Sequence, residues 1–325
     1  MSLWYNEHLV LIQSTMVSAI FALSIQLPLR FGVFSFAGVG SYGIGGYTTA
    51  ILVTRHDCPI LVAIALGTLL AAAIGYPMAW LLHRLSGLYL AMATVAFDLL
   101  VSVLAVNGGE LTGGATGLFG VLVDVTTLHL VVITAVVVAL VAVSEHGRLG
   151  RKIDVAREDP ELSAALGIKV PRIRRIAFVL SGALGGLAGG LNTAMTTTIA
   201  PENISFALII LAVTMIVVGG VGSWKGAVIG AVVFTWLPTV LAFIGEWKGV
   251  VYGLIVAAVA IWLPGGIVGV STDILHKLRR ARRAGDIATA APSGVDPSSV
   301  DPGSDVSPTD DGADDLPVVQ TKELR

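Results

Sequence analysis

Between Arg30 and Arg55 the chain carries no Asp, Glu, Lys or Arg. It is one of nine such apolar windows, roughly 8–29, 33–53, 60–82, 88–106, 128–144, 176–199, 206–222, 226–244 and 249–263. Only one of them, through Asp98, holds a charged side chain. A helix needs about 20 apolar residues to cross a hydrocarbon core of about 30 Å, so each window suits a crossing, though several are short. Only 13% of residues are charged, against about 25% in a soluble domain. The sequence therefore predicts an all-α polytopic membrane protein with about nine transmembrane helices. A missed or re-entrant segment near the N-terminus would make ten.

The net charge of −2 hides two unlike regions. Residues 286–325 hold nine Asp/Glu against Lys322 and Arg325, whereas the other residues carry 18 Lys/Arg and 13 Asp/Glu. Placing segment 145–175 in the cytoplasm and alternating sides puts 18 Lys/Arg inside and two, Arg55 and Lys248, outside, as the positive-inside rule requires. The N-terminus then lies outside and the C-terminus inside. The first span reads as a retained anchor, with no basic region before it and no small-residue cleavage site. Residues 1–284 read as the transmembrane domain. The Asp/Pro/Ser-rich tail 285–325 has too little apolar surface to order itself. His276–Arg283 reads as a basic anchor to anionic headgroups. The basic residues mark loops, not a nucleic-acid surface.

Two segments inside the windows draw attention. Residues 32–46 contain six glycines, each worth roughly 1 kcal/mol against a helix in water. On a helical wheel Gly38, Gly45 and Thr49 share one line, flanked by Ser41 and Tyr42, with Gly40, Gly43 and Gly46 toward the other side. Small residues let membrane helices approach closely, so this span sits among neighbours on more than one side. Two readings stay open: close packing alone, or a pathway lining in which Ser41, Tyr42 and Thr48 offer hydroxyls. Asp98 likewise admits two readings, a carboxylic acid held between helices or a group on a substrate pathway.

In segment 145–175, Asp159 is an N-cap, Pro160 suits the first helical position, Glu161 favours the dipole and Gly167 closes the helix. This predicts a two-turn helix over 160–166, with Leu162, Ala165 and Leu166 on one face. Two turns are unstable alone in water. The helix must pack on its own bundle or interface, or dock on a cytoplasmic partner with Arg157, Glu158, Lys169, Arg172, Arg174 and Arg175 as a charged rim.

No enzyme constellation is present. The six histidines are scattered without HExxH, Cys58 is the only cysteine, and G-x-S-x-G is absent. The nearest approach to a phosphate-cradling loop, Gly219 to Gly226, has Lys225 followed by glycine and does not meet the motif. A secondary transporter or channel is the rival class, but its ion coupling would rest on Asp98 alone.

The 145–175 segment resembles the cytoplasmic coupling loop of ABC-importer permeases, whose E-x-x-A-x-x-x-G pattern is echoed by Glu161, Ala164 and Gly167, with one residue fewer before the glycine. Four further stretches resemble the M-type permeases of branched-chain amino acid (Liv-type) importers: GLYLAMATVAF (87–97), LTGGATGL (111–118), VVGGVGSWKGAVIGAVV (217–233) and WLPGGIVG (262–269). Ala227 stands where that family usually has proline, and Gly38 where it has an amide or imidazole. The resemblance implies an ABC-importer permease fold in the cell membrane of a prokaryote. It implies a second homologous permease, two ATPase subunits that hold ATP and Mg, and an extracytoplasmic substrate-binding protein. The chain itself would hold no cofactor. By the same resemblance Arg157, Glu158, Asp159, Glu161, Leu162, Ala164, Ala165, Leu166 and Gly167 couple to the ATPase. Ser35, Gly38, Ser41, Tyr42, Gly45, Thr48, Thr94 and Asp98 form the pathway or its packing. Thr112, Gly113 and Gly114 are candidates for contact with the binding protein, or form a glycine turn that merely closes a loop, and Glu202 on the same side is a candidate docking charge. Urea and short-amide importers share this permease pattern.

Overall fold

A computed structural model describes residues 2–121, 126–145, 147–262 and 266–269. Every apolar window coincides with a helix: α1 (Ser2–Arg30), α2 (Gly38–His56), α3 (Ile60–Leu81), α4 (Gly87–Asn107), α5 (Thr127–Glu145), α8 (Val170–Thr196), α9 (Phe206–Gly219), α10 (Trp224–Val240) and α11 (Lys248–Trp262). Between α5 and α8 lie α6 (Gly147–Glu158) and α7 (Pro160–Ala165). Six helices among the described residues are long and apolar enough to span a bilayer, and two shorter apolar ones follow. The acidic tail and the basic stretch 276–283 fall outside the described residues.

The centre is α8, the most buried of the six candidate spans. Its largest interfaces are with α3 and α2, then α1. Close approach is what its glycines allow. A Cβ at Gly185 would meet Gly38 O, and one at Gly189 would fall on Tyr42 O, both on α2. One at Gly182 would meet Ala71 O of α3. The repeat of glycines three and four apart thus gives α8 one glycine face for α2 and one for α3.

The helix ends sort into two groups. At one end Arg30 Nη1 pairs with Glu145 Oε1 at 2.8 Å, the Trp224 N–H donates to the same oxygen at 2.7 Å, and Gln26 Nε2 donates to Val221 O at 3.2 Å. This basic end also carries α6, α7 and the start of α8. At the opposite end the Arg55 guanidinium donates to Glu110 O. There Leu118–Phe119 (β1) pairs antiparallel with Thr198–Ile199 (β2).

Two expectations need correction. Residues 33–37 of the second window are not helical, and α2 starts only at Gly38. The 145–175 segment is helical over most of its length, not a loop with one helix. Within this all-α fold the segment after α4 is a set of 3-10 turns closed by the short β1–β2 strand pair.

Candidate functional site

The break before α2 is the first part of the site. After Arg30 the chain turns through Gly32, whose φ of +73° suits glycine and whose Cβ would meet Arg157 Cα at 3.2 Å. The α2 helix then begins beside Ser24, because a Cβ at Gly38 would lie 2.6 Å from Ser24 Oγ. Ser24 is six residues before the end of α1, so the first turn of α2 sits about 9 Å inside the basic end, at 1.5 Å per residue. A helix beginning there has N–H groups that its own turns do not satisfy, each costing several kcal/mol in lipid.

Side chains supply the partners. The Phe36 N–H donates to Thr94 Oγ1 at 3.0 Å, the Ala37 N–H to Ser35 Oγ at 3.3 Å, and the Gly40 N–H to Asp98 Oδ1 at 2.7 Å. Thr94 and Asp98 lie one turn apart on the buried stripe of α4 and cap α2 from outside. A carboxylate at a helix N-terminus is favoured by the dipole as well. Asp98 is 2% exposed, and its Oδ2 has no hydrogen-bond partner.

The glycines of α2 meet neighbours on several sides. Gly40 faces Phe97 and Asp98 of α4, Gly43 faces Ile204, Gly45 faces the backbone of Gly186, and Gly46 faces Ile199 and Thr193. Ser41, Tyr42 and Gly45 are buried. The Ser41 hydroxyl donates to Ala37 O at 2.8 Å, the Tyr42 ring meets Phe21 edge-on, and the half-buried Thr48 donates to Ile44 O at 2.6 Å. These groups are packed in this conformation, not arranged around an open channel.

The second part is the coupling segment. Asp159 Oδ1 accepts from the N–H groups of Glu161 (3.0 Å) and Leu162 (2.9 Å). Gly167, at φ +77°, donates to Ala164 O at 3.0 Å while Ile168 donates to Ser163 O at 2.9 Å. That pair of bonds is a Schellman closure. The helix ends at Ala165, one residue earlier than expected, with Leu166 as its C-cap. Ser163 is its buried side chain. The apolar face expected to pack is uncovered: Leu162 is 52% exposed, Leu166 64%, and Ala164 and Ala165 are exposed with them. Arg157, Glu158 and Glu161 are exposed around it.

Sequence reasoning missed the joint above α7. Ile153 and Ala156 bury one face of α6, and Arg157 lies on Gly32. The Arg30–Glu145 pair is nearly buried, at 8% and 10% exposure, and Asp154 Oδ1 stands 3.8 Å from the same guanidinium. Glu145 thereby ties the ends of α1, α5 and α10 where the coupling segment begins. Arg30 stood at a window edge and Glu145 at a loop edge, but a pairing across that sequence distance leaves no local signal. Arg174 and Arg175, read as part of the α7 rim, instead line a cavity with Trp80 and His83 of the α3 end.

The third part is at the opposite end. Thr112 Oγ1 donates to Ala105 O at 2.7 Å, Gly113 and Gly114 sit at positive φ, and Glu202 is exposed in the turn Pro201–Asn203. The β1–β2 ribbon and contacts between the turns Gly114–Thr116 and Pro201–Asn203 bring these segments together.

Comparison with known proteins places this geometry. Residues 9–260 match the family model described as a branched-chain amino acid transport system / permease component. The chain is 28% identical over 309 residues to the high-affinity branched-chain amino acid transport system permease protein LivM of Salmonella typhimurium, covering 84% of this chain and 72% of the relative. The LivM protein of Escherichia coli gives the same identity and coverage. The LivH permease of Salmonella typhimurium is 31% identical over 113 residues, 34% of this chain and 36% of that relative. No solved structure matches. A match over residues 9–260, which takes in α2, the coupling segment and the opposite-end turns alike, means that this chain belongs to the branched-chain amino acid transport system permease family.

Proposed function

We propose that this chain is a permease subunit of an ATP-driven importer in a prokaryotic cell membrane, carrying branched-chain amino acids inward. Beyond the family, the observation that supports this is the uncovered face of α7. A six-residue helix capped at both ends keeps two leucines in water at the basic end, which is costly unless a partner covers them. Two ATPase subunits, holding ATP and Mg, supply that cover. A second homologous permease completes the pathway, and an extracytoplasmic binding protein delivers substrate to the end formed by Thr112, Gly113, Gly114 and Glu202. The basic end, and the C-terminus, face the cytoplasm.

Coupling follows the contacts already described. Movement of α7 shifts α6, whose Arg157 bears on Gly32. The Glu145–Arg30 pair carries the shift to the ends of α1, α5 and α10. Both inputs meet at residues 31–37, the break that sets the position of α2. The opposing helix, α4, has α2 as its main helical neighbour. Parting α4 from α2 uncovers Thr94 and the unpartnered Oδ2 of Asp98, which suits the ammonium group of an amino acid.

Reconstitution tests the reading. With the second permease, the ATPase subunits and the binding protein in proteoliposomes, uptake of leucine, isoleucine or valine requires ATP. Uptake by this chain alone under an ion gradient would identify a secondary transporter instead. A binding protein loaded with urea or a short amide would keep the ATP-driven class and change the cargo.

A further inference from the structure

We propose that the seam between α3 and α8 at the basic end is a binding site for an anionic phospholipid. Two adjoining cavities lie on this seam, of about 500 Å³ and about 370 Å³, and Arg175 lines both. Arg174 and His83 stand over the first, and Arg172 over the second. Among the described residues none of these arginines is in an ion pair with a carboxylate.

The charge is one-sided along both walls. No Asp or Glu occurs between Asp57 and Asp98, which spans all of α3, or between Glu161 and Glu202, which spans all of α8. An occupant must therefore bring the negative charge. It must also be apolar at its other end. The second cavity runs from Arg172 and Arg175 along Ile176 and Leu180, away from the basic end. Its α3 wall is Tyr76, which is 56% exposed, and Trp80 one turn further on is 69% exposed. Tyr and Trp at this position mark the headgroup level of a bilayer. A phosphate between the arginines, with an acyl chain along Ile176 and Leu180, satisfies both ends at once. Arginine forks match phosphate oxygens, and basic pockets between helices at the cytoplasmic face suit acidic headgroups. The site depends on the chain lying in a membrane, not on its cargo or its coupling to ATP.

Native mass spectrometry of the assembled transporter in detergent tests this. Phosphatidylglycerol and phosphatidylcholine of equal chain length are added separately and the retained lipids counted. Phosphatidylglycerol is expected to be retained over phosphatidylcholine. The double variant Arg174→Gln/Arg175→Gln should weaken that retention roughly tenfold or more, as two lost basic contacts with an acidic lipid imply, while Arg174→Lys/Arg175→Lys, which keeps the charge but not the fork, falls between the two. Equal retention of the two lipids, or an unaffected Gln variant, would overturn the proposal. Displacement of the lipid by soluble glycerol phosphate would point to a free phosphate instead. A photoreactive residue in place of Trp80 should label lipid, and labelling of a neighbouring subunit would make the seam a protein interface and end the lipid reading.

Discussion

The α2–α3–α8 centre and the α6–α7 layer at the basic end are built on opposite terms. In the centre, glycines bring backbones together so closely that a Cβ at Gly45 would fall on the Gly186 backbone, and polar groups such as Thr49 and Thr193 are fully buried. In the outer layer, α7 is closed by its own caps and keeps Leu162 and Leu166 in solvent. The centre is complete within this chain. The α7 face is unfinished until a partner meets it. Substitutions in the first region should therefore act on stability, and those in the second on coupling alone.

The largest loss of stability is expected where the two regions join. Glu145→Ala strands a nearly buried guanidinium, at a cost of about 3–5 kcal/mol, whereas an apolar pair at both positions restores most of it. Thermal unfolding of the purified complex checks both, and a mild effect of the single variant would mean that Asp154 holds Arg30 unaided. In the centre, Gly45→Ala forces α2 from α8 and should cost about 1–3 kcal/mol by overpacking. An unchanged unfolding temperature there would show that the interface yields. Asp98→Asn keeps an oxygen for the Gly40 N–H but removes the charge. The expected loss is on the order of 1 kcal/mol, with a larger fall in uptake. Uptake equal to wild type would exclude Asp98 from the pathway. At α7, Asp159→Ala removes the cap of a helix outside the core, a local loss of about 1 kcal/mol. Global unfolding should not move, while ATP-driven uptake falls.

The same contrast explains what the sequence made legible. The apolar windows and the caps of α7 are local signals, so the helices were readable, as were Asp159 and Gly167 at the two ends of α7. The spread of glycines around α2 was readable as neighbours on several sides: Gly40 meets α4, Gly43 meets Ile204, and Gly45 and Gly46 meet α8. The start of α2 was not, because hydropathy runs unbroken through residues 33–53 and the break is held by Thr94 and Asp98 from another helix. Helix α6 was hidden by its charges, although Ile153 and Ala156 mark its buried face. The Arg30–Glu145 pair depends on tertiary placement and has no local trace.

Leu162→Glu puts a charge on the uncovered face of α7 and tests directly whether a partner meets it. With the side chain half in solvent already, unfolding of the variant should shift by no more than about 0.5 kcal/mol, as for surface substitutions generally. ATP-driven uptake in proteoliposomes should nonetheless be lost, together with retention of the ATPase subunits on purification. A variant that keeps both its ATPase subunits and its uptake would mean that α7 is not the surface on which the ATPase docks.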